Sequence, residues 1–150
     1  MQVSHSAVLF GMFATAVVCY CVLRYLTTSP YPHPHIGIDK STISGRGVFS
    51  YTNFNVGDLI EKCPAIIDKR NNIKGRLKDY YFNASDNKDV AVVIGGYCAI
   101  INHSDDPNCH YAVVGDEVVV SAMKPINKGD ELTISYGVNY WKSRPHIQKI

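Results

Sequence analysis

The segment INHSDDPNCHY at residues 101–111 concentrates side chains that can do chemistry. Its two histidines, one cysteine and two aspartates are ligand types for a transition metal. A zinc site takes paired ligands from two segments at short spacings, and the chain has no second cluster of that kind, so no metal site is expected. Asn102 and His103 directly follow the apolar Ala99–Ile101, which suits either a buried hydrogen-bond network or a ligand pocket.

Two further stretches could take part in chemistry. The tripeptide GRG at residues 45–47 fits either a tight turn before a strand or close approach of the backbone to a ligand. A strand-like run ends at Tyr136, with Tyr140 and Trp141 close behind. Aromatic residues at this density form either core or a ligand cage. The residues alone leave both pairs of alternatives open.

The elements that position these side chains are mostly short strands. Runs rich in Val, Ile, Phe and Tyr are separated by turn residues, as in antiparallel sheets, and the pattern predicts a mostly β (α+β) domain. Only Ile73–Phe82 and Tyr97–Ile101 have a helical pattern, and it is weak. The predicted strands are Gly47–Tyr51, Leu59–Ile67, Val90–Ile94, Tyr111–Val114, Glu117–Ala122 and Glu131–Tyr136.

Length and composition fit one globular domain. The 150 residues are 46% hydrophobic and 19% charged. The net charge of +2 comes from 15 basic and 13 acidic residues mixed along the chain, which argues against direct nucleic-acid binding. The five cysteines have no regular spacing, so they predict buried thiols in a reducing compartment and no disulfide framework.

The N-terminal segment differs in kind from the rest of the chain. After a short tail at residues 1–6, residues 7–23 carry no charge, and the apolar stretch reaches residue 26 if Arg24 extends its charged end to the membrane surface. The sequence therefore predicts a transmembrane anchor at residues 7–26. A buried core helix is the alternative, because the stretch is at the short end of the spanning range of about 17–25 residues.

Residues after the anchor predict its orientation and the domain boundary. The nearby positive charges, Arg24 and Lys40, follow the span, so the C-terminal domain is expected to face the cytosol. Residues 27–35 contain three prolines and predict an extended linker. The folded domain is then expected to occupy residues 36–150.

Taken in chain order, three motifs resemble those of the SET-domain family of protein lysine methyltransferases. They are GRGVF, then NHS with DPN about 55 residues later, then PINKGDELTISYG. The resemblance covers residues 36 to about 141, and the tail SYGVNYWKSRP resembles the minimal SET proteins of large DNA viruses. It implies a SET-domain β-clip of short antiparallel sheets, with a C-terminal pseudoknot and here one N-terminal transmembrane helix.

The resemblance implies a cofactor site for S-adenosylmethionine. Gly45, Arg46 and Gly47 match the glycine-containing segment whose backbone approaches the methionine part of that molecule. Asn102 and His103 match the pair whose side chain and backbone hold its amino end and its adenine.

The resemblance also implies a catalytic role for one residue and a channel for the substrate. Tyr136 matches the catalytic tyrosine, which also contacts the methyl donor, while Tyr80, Tyr140 and Trp141 are expected to line the lysine channel. The implied reaction is S-adenosylmethionine-dependent methyl transfer to a lysine amine of a protein such as a histone tail. The alternative is a membrane-tethered SET-like module that binds a partner without catalysis.

One departure from the family concerns zinc. Many members have cysteine directly after NHS and three more in a C-terminal zinc segment, whereas this chain has Asp105 and a tail without cysteine. No zinc is therefore expected. That segment normally closes one wall of the channel, so Tyr140, Trp141 or a second subunit must do so here, and a homodimer is expected. The chain as a whole is interpreted as a single-pass, viral-type protein of a host membrane with its SET domain in the cytosol.

Overall fold

The structure is a computed structural model, and it describes residues 34–84, 87–145 and 147. The predicted tail at residues 1–6 and the predicted anchor at residues 7–26 lie outside the described residues, as does most of the linker 27–35. Within the described residues, no helix is long and apolar enough to cross a membrane. The anchor stays a prediction from the sequence.

Short strands make up most of the regular structure, so the predicted mostly β fold is confirmed. Every predicted strand is found, with its ends shifted by at most three residues. The described residues contain nine strands: β1 (Ile36–Lys40), β2 (Arg46–Ser50), β3 (Leu59–Lys69), β4 (Tyr81–Ala84), β5 (Asn87–Ile94), β6 (Asn102–His103), β7 (Cys109–Val114), β8 (Glu117–Ala122) and β9 (Glu131–Ile134).

These strands form two sheets. The first has the order β1-β2-β9-β6, and the second has the order β4-β5-β3-β8-β7. The second sheet is antiparallel throughout, whereas in the first β6 lies parallel to β9, with Asn102 opposite Thr133. A parallel pair needs a long connection, and the residues between β6 and β9 provide it. The pairing places the NHS motif beside the strand that leads to Tyr136.

Helical segments are few and short. In the described part of the chain they are three 3-10 helices, η1 (Arg70–Asn72), η2 (Gly75–Asp79) and η3 (Tyr97–Ile100), and one α-helix, α1 (Val138–Ser143). The predicted helix at Ile73–Phe82 is wrong in type and extent, because Tyr81 and Phe82 lie in β4 opposite Val93 and Val92 of β5. Strand pairing overrides the weak local helical preference there.

One apolar core joins the two sheets and η3. Val48 and Leu132 of the first sheet and Val92 and Val118 of the second are fully buried in it. Along β8, buried residues alternate with more exposed ones, as expected for a strand with one face on the core. The packing fixes the strand ends that carry the sequence motifs.

Two core cysteines are bonded to each other. Cys63 of β3 and Cys98 of η3 form a disulfide, so the prediction of buried thiols is wrong for this pair. The two residues are 35 positions apart, and no spacing motif connects them, so the pairing could not be predicted from the sequence. Cys109 is a buried free thiol, as predicted.

Candidate functional site

A cavity of about 520 Å³ opens between the GRG turn, η2, the NHS motif and α1. Of the nine residues predicted to contact cofactor or substrate, eight line it and Gly47 does not. The eight are Gly45, Arg46, Tyr80, Asn102, His103, Tyr136, Tyr140 and Trp141. The fold therefore collects residues from the three sequence motifs and η2 around one space.

Tyr136 follows β9, and its ring is partly buried. Its hydroxyl donates a hydrogen bond of 2.8 Å to the backbone carbonyl of Ile101. Burial raises the pKa of the Tyr136 hydroxyl well above its ordinary value of 10.0, and the nearby Tyr140 and Tyr80 hydroxyls raise it further. The hydroxyl therefore stays protonated at neutral pH. Because the hydroxyl proton is donated to the Ile101 carbonyl, a bound group can contact the lone pairs of the hydroxyl oxygen.

His103 is held in one tautomer by two neighbours. The backbone N–H of Tyr136 donates to its Nδ1 at 3.2 Å, so that nitrogen carries no proton. The other ring nitrogen, Nε2, lies 3.2 Å from Oδ1 of Asp105 and is the one that donates. The turn after NHS thus contributes a carboxylate that orients the histidine ring.

The Asn102 side chain lies among hydrogen-bond acceptors. Its Nδ2 is 2.8 Å from Oε1 of Glu131 and 3.1 Å from Oγ of Ser41. The carbonyl oxygens of Ser44 and Arg46 lie 3.1 and 3.3 Å from the same nitrogen. Ser41 and Glu131 were not predicted as site residues, because Ser41 precedes the GRGVF motif and the resemblance assigned a role in PINKGDELTISYG only to Tyr136.

The two glycines of the GRG turn have different constraints. Gly45 lines the cavity and has a φ of 50°, a left-handed conformation that favours glycine. A Cβ on Gly47 would overlap the Glu131 carboxylate. Gly47 packs against Glu131 and does not line the cavity, and its contact with a methyl donor stays a prediction.

Aromatic residues of α1 form one wall of the cavity. The Tyr140 ring centroid lies 4.6 Å from that of Tyr136, and the Trp141 ring centroid lies 4.9 Å from that of His103. Tyr80 is half-exposed beside them. Tyr140 and Trp141 thus line the cavity, while closure of a lysine channel by these residues or by a second subunit stays a prediction.

Arg144 holds α1 against η2 and was not predicted. Its guanidinium carbon lies 4.2 Å from the Tyr140 ring centroid and 4.7 Å from that of Tyr81. Its Nε donates to the Lys78 carbonyl at 3.0 Å and lies 3.4 Å from a carboxylate oxygen of Asp79. The buried arginine thereby anchors the aromatic wall, and the Lys78 carbonyl that it contacts lies 66 positions away in the chain.

A group of potential metal ligands lies outside the cavity lining. Among the described residues the group is Glu61, Cys63 and Cys98, whose ligand atoms all lie within 4.8 Å of one another. The two sulfurs are bonded together, so neither is a thiolate ligand in this structure. The Cys98 sulfur carries no proton and simply contacts a Glu61 carboxyl oxygen at 3.2 Å. The absence of zinc remains a prediction.

Comparison with known proteins identifies one family. The family model described as SET domain matches residues 45–137. Human histone-lysine N-methyltransferase 2B is 29% identical over 136 residues, which is 82% of this chain and 5% of that protein. Histone-lysine N-methyltransferase TRX1 of Oryza sativa subsp. japonica is 32% identical over 117 residues, which is 67% of this chain and 11% of that protein. The chain thus spans only a small share of these curated relatives.

A solved structure shares the fold over almost its whole length. It is a "putative histone methyltransferase" of Plasmodium falciparum with a TM-score of 0.62 and 33% identity. The similarity covers 73% of this chain and 98% of that one. The suggested closeness to viral minimal SET proteins stays a prediction.

Proposed function

Because the chain belongs to the SET-domain family, we propose that it is a protein-lysine N-methyltransferase that uses S-adenosylmethionine as methyl donor. The similar proteins are histone-lysine methyltransferases by name, which supports a protein lysine, such as one in a histone tail, as the methyl acceptor.

One observation carries this proposal. The Tyr136 hydroxyl is fixed on the Ile101 carbonyl at 2.8 Å, in a cavity that Asn102 and His103 also line. A binding module has no need to hold a neutral phenol in this way beside a polar pocket. The geometry therefore favours a catalytic site over a docking groove.

The cavity suits the methyl donor. Its volume of about 520 Å³ lies within the usual range for ligand pockets of roughly 300–1,000 Å³. Gly45, Arg46, Asn102 and His103 would hold the molecule, with backbone groups, an amide and a ring on the cavity surface. Bound there, S-adenosylmethionine would supply a methyl group on a positively charged sulfur.

The residues of the channel would prepare a lysine amine as nucleophile. Aromatic walls formed by Tyr140 and Trp141 exclude water from the amine, which lowers its pKa and favours the neutral form. The Asp79 carboxylate at the cavity is paired with Arg144 at 3.4 Å, so it is not positioned as a free base. The lone pairs of the Tyr136 oxygen would accept an amine N–H and orient the nitrogen.

The full-length chain tests the proposal. We expect it to transfer labelled methyl groups from S-adenosylmethionine to lysines of histones or of other proteins, and to bind S-adenosylhomocysteine in calorimetry. Binding without transfer to any protein would favour the non-catalytic SET-like module. Absence of both binding and transfer would refute the proposal.

A further inference from the structure

We propose that Ser41 and Glu131 are positioning residues that set which end of the Asn102 amide faces the cofactor cavity. This inference rests on the proposed function and deepens it, because it assigns the source of selectivity for a ligand with a positively charged amino group. Both residues would act on Asn102 from behind the cavity wall, since neither Ser41 nor Glu131 lines the cavity.

The neighbours of the Asn102 nitrogen allow only one orientation of the amide. Nδ2 lies 2.8 Å from a Glu131 carboxylate oxygen and 3.1 Å from the Ser44 carbonyl oxygen. A flipped amide would place its own oxygen against these acceptors, which is repulsive. The carboxylate makes the preference stronger, because hydrogen bonds to an ionised acceptor are about twice as strong as neutral ones.

Ser41 fixes the carboxylate in turn. Its Oγ lies 2.8 and 2.9 Å from the two carboxylate oxygens of Glu131. The same oxygen accepts the backbone N–H groups of Ile43 and Ser44 at 2.9 and 3.2 Å. Its single proton must therefore go to Glu131. The pair connects the turn between β1 and β2 to β9, and Gly47 leaves room for the carboxylate between them.

The Asn102 oxygen is left as an acceptor. Among the described residues, the hydrogen bonds of the Asn102 side chain all run from Nδ2. Asn102 lines the cavity and is otherwise buried, so the opposite arm of the planar amide is the one available to a ligand there. The nitrogen of this amide donates to the Glu131 carboxylate, and the negative charge nearby makes the amide oxygen a better acceptor for an ammonium group than for a neutral or anionic group.

Two ligands, one with and one without the amino acid end that carries the ammonium group, test the inference on the full-length chain. S-adenosylhomocysteine carries the ammonium group, whereas 5′-methylthioadenosine keeps the nucleoside and sulfur but lacks the amino acid end. The quantity measured by calorimetry is the ratio of their affinities. In Glu131→Gln the charged acceptor is lost and the new amide can donate to the Asn102 oxygen, so that only the Ser44 and Arg46 carbonyls still oppose the flip, and we expect the ratio to fall about tenfold. Affinity for 5′-methylthioadenosine should change less than about twofold, because that ligand does not use the oriented oxygen.

Two more variants separate orientation from general destabilisation. Ser41→Ala removes the hydroxyl that fixes the carboxylate and should lower the ratio in the same direction. Asn108→Ala is the matched control, because Asn108 bonds the backbone of β9 at Glu131 and Thr133, with distances of 2.8 Å, without touching the carboxylate. It should lower thermal stability and leave the ratio unchanged.

The outcomes distinguish this inference from the proposed function. If the wild-type chain binds both ligands and the ratio is unchanged in Glu131→Gln and Ser41→Ala, the positioning role is refuted while the proposed function stands. The role is also refuted if Asn108→Ala lowers the ratio as much, since the effect would then be general loosening. If the wild-type chain binds neither ligand, the proposed function and this inference both fail.

Discussion

The Tyr136 hydroxyl lies 2.8 Å from the carbonyl oxygen of Ile101, although the two residues are 35 positions apart. Ile101 directly precedes Asn102, so a single short segment contains both the carbonyl that binds the Tyr136 hydroxyl and an amide that lines the cavity. The parallel pairing of β6 with β9 sets this arrangement. A shift between these two strands would therefore alter both halves of the proposed site at once.

Arg144→Met should detach the aromatic wall. Methionine keeps much of the apolar contact with Tyr81 and Tyr140 but loses the hydrogen bond to Lys78 and the ion pair with Asp79. We expect a loss of about 2 kcal/mol in the free energy of unfolding, typical of a buried hydrogen bond to a charged group, and a fall in methyl transfer. Denaturant unfolding and activity assays measure the two effects.

Lys142→Met is the control for this variant, because Lys142 lies on the same helix but is exposed and outside the cavity wall. It should retain wild-type stability and activity. If Arg144→Met is as active as Lys142→Met, Arg144 does not position the wall. A dimer, which remains a prediction from the sequence, would then be the better candidate for closing the channel.

Reduction of the disulfide between Cys63 and Cys98 should destabilise the domain. The bond closes a loop with a sequence separation of 35, for which chain-entropy estimates give about 4 kcal/mol. Thermal melts with and without a thiol reductant measure the change. In protein denatured without reduction, both cysteines should resist alkylation, and the Cys109→Ala variant should behave in the same way.

Alkylation of both Cys63 and Cys98 in never-reduced protein would contradict the disulfide. The same experiment, performed on protein taken directly from cells, bears on localisation. Cytosolic thiols stay reduced, so a stable disulfide and a cytosol-facing domain are in conflict. The cysteine pairing found in cells therefore decides between them.

Alkaline pH should weaken the fold through Cys109. Burial raises the pKa of its thiol from 9.0 to about 12. Above pH 9 the unfolded chain releases this proton while the folded chain keeps it, so the stabilisation is complete below pH 9 and is lost as pH rises toward 12. We expect a loss of about 1 kcal/mol between pH 8 and pH 10 in urea unfolding. A Cys109→Ala variant with the same loss would show that another group is responsible.

A single charged substitution tests the predicted anchor at residues 7–26. Arginine at the centre of a spanning helix costs roughly 2.5–3.5 kcal/mol on insertion scales, so Val17→Arg should release the protein from membranes. Fractionation of cells that express wild-type and variant chains measures this. Equal membrane association of both would contradict the anchor.

The strand pattern and the motif positions could be read from the sequence, because they depend on local chemistry. Glu117–Ala122 contains three consecutive valines after the Gly115-Asp116 turn and is found as predicted. Asn102 and His103 stand out because polar residues directly follow an apolar run. Their convergence with Tyr136 was available only through the resemblance, since nothing local predicts that β6 and β9 pair.

The features that the sequence did not reveal depend on contacts between distant segments. Glu131 acts on Asn102 across 29 positions, and Arg144 contacts Lys78 across 66. Glu131 lies in the PINKGDELTISYG motif, but the resemblance assigned a role there only to Tyr136, and Arg144 lies outside the three motifs, where a charged residue is ordinarily solvated. The helix predicted over Tyr81 and Phe82 was wrong for a related reason, because the strand conformation of these residues depends on a partner in β5.

Methyl transfer by Tyr136→Phe is the most direct test of the central claim, because the change removes one hydroxyl and keeps the ring. Mass spectrometry of histones incubated with the full-length chain and S-adenosylmethionine should show lysine methylation with wild type. Tyr136→Phe should lose most of it while still binding S-adenosylhomocysteine. Tyr97→Phe, which alters another buried tyrosine outside the cavity lining, should remain active. Equal methylation by wild type and Tyr136→Phe would contradict the account.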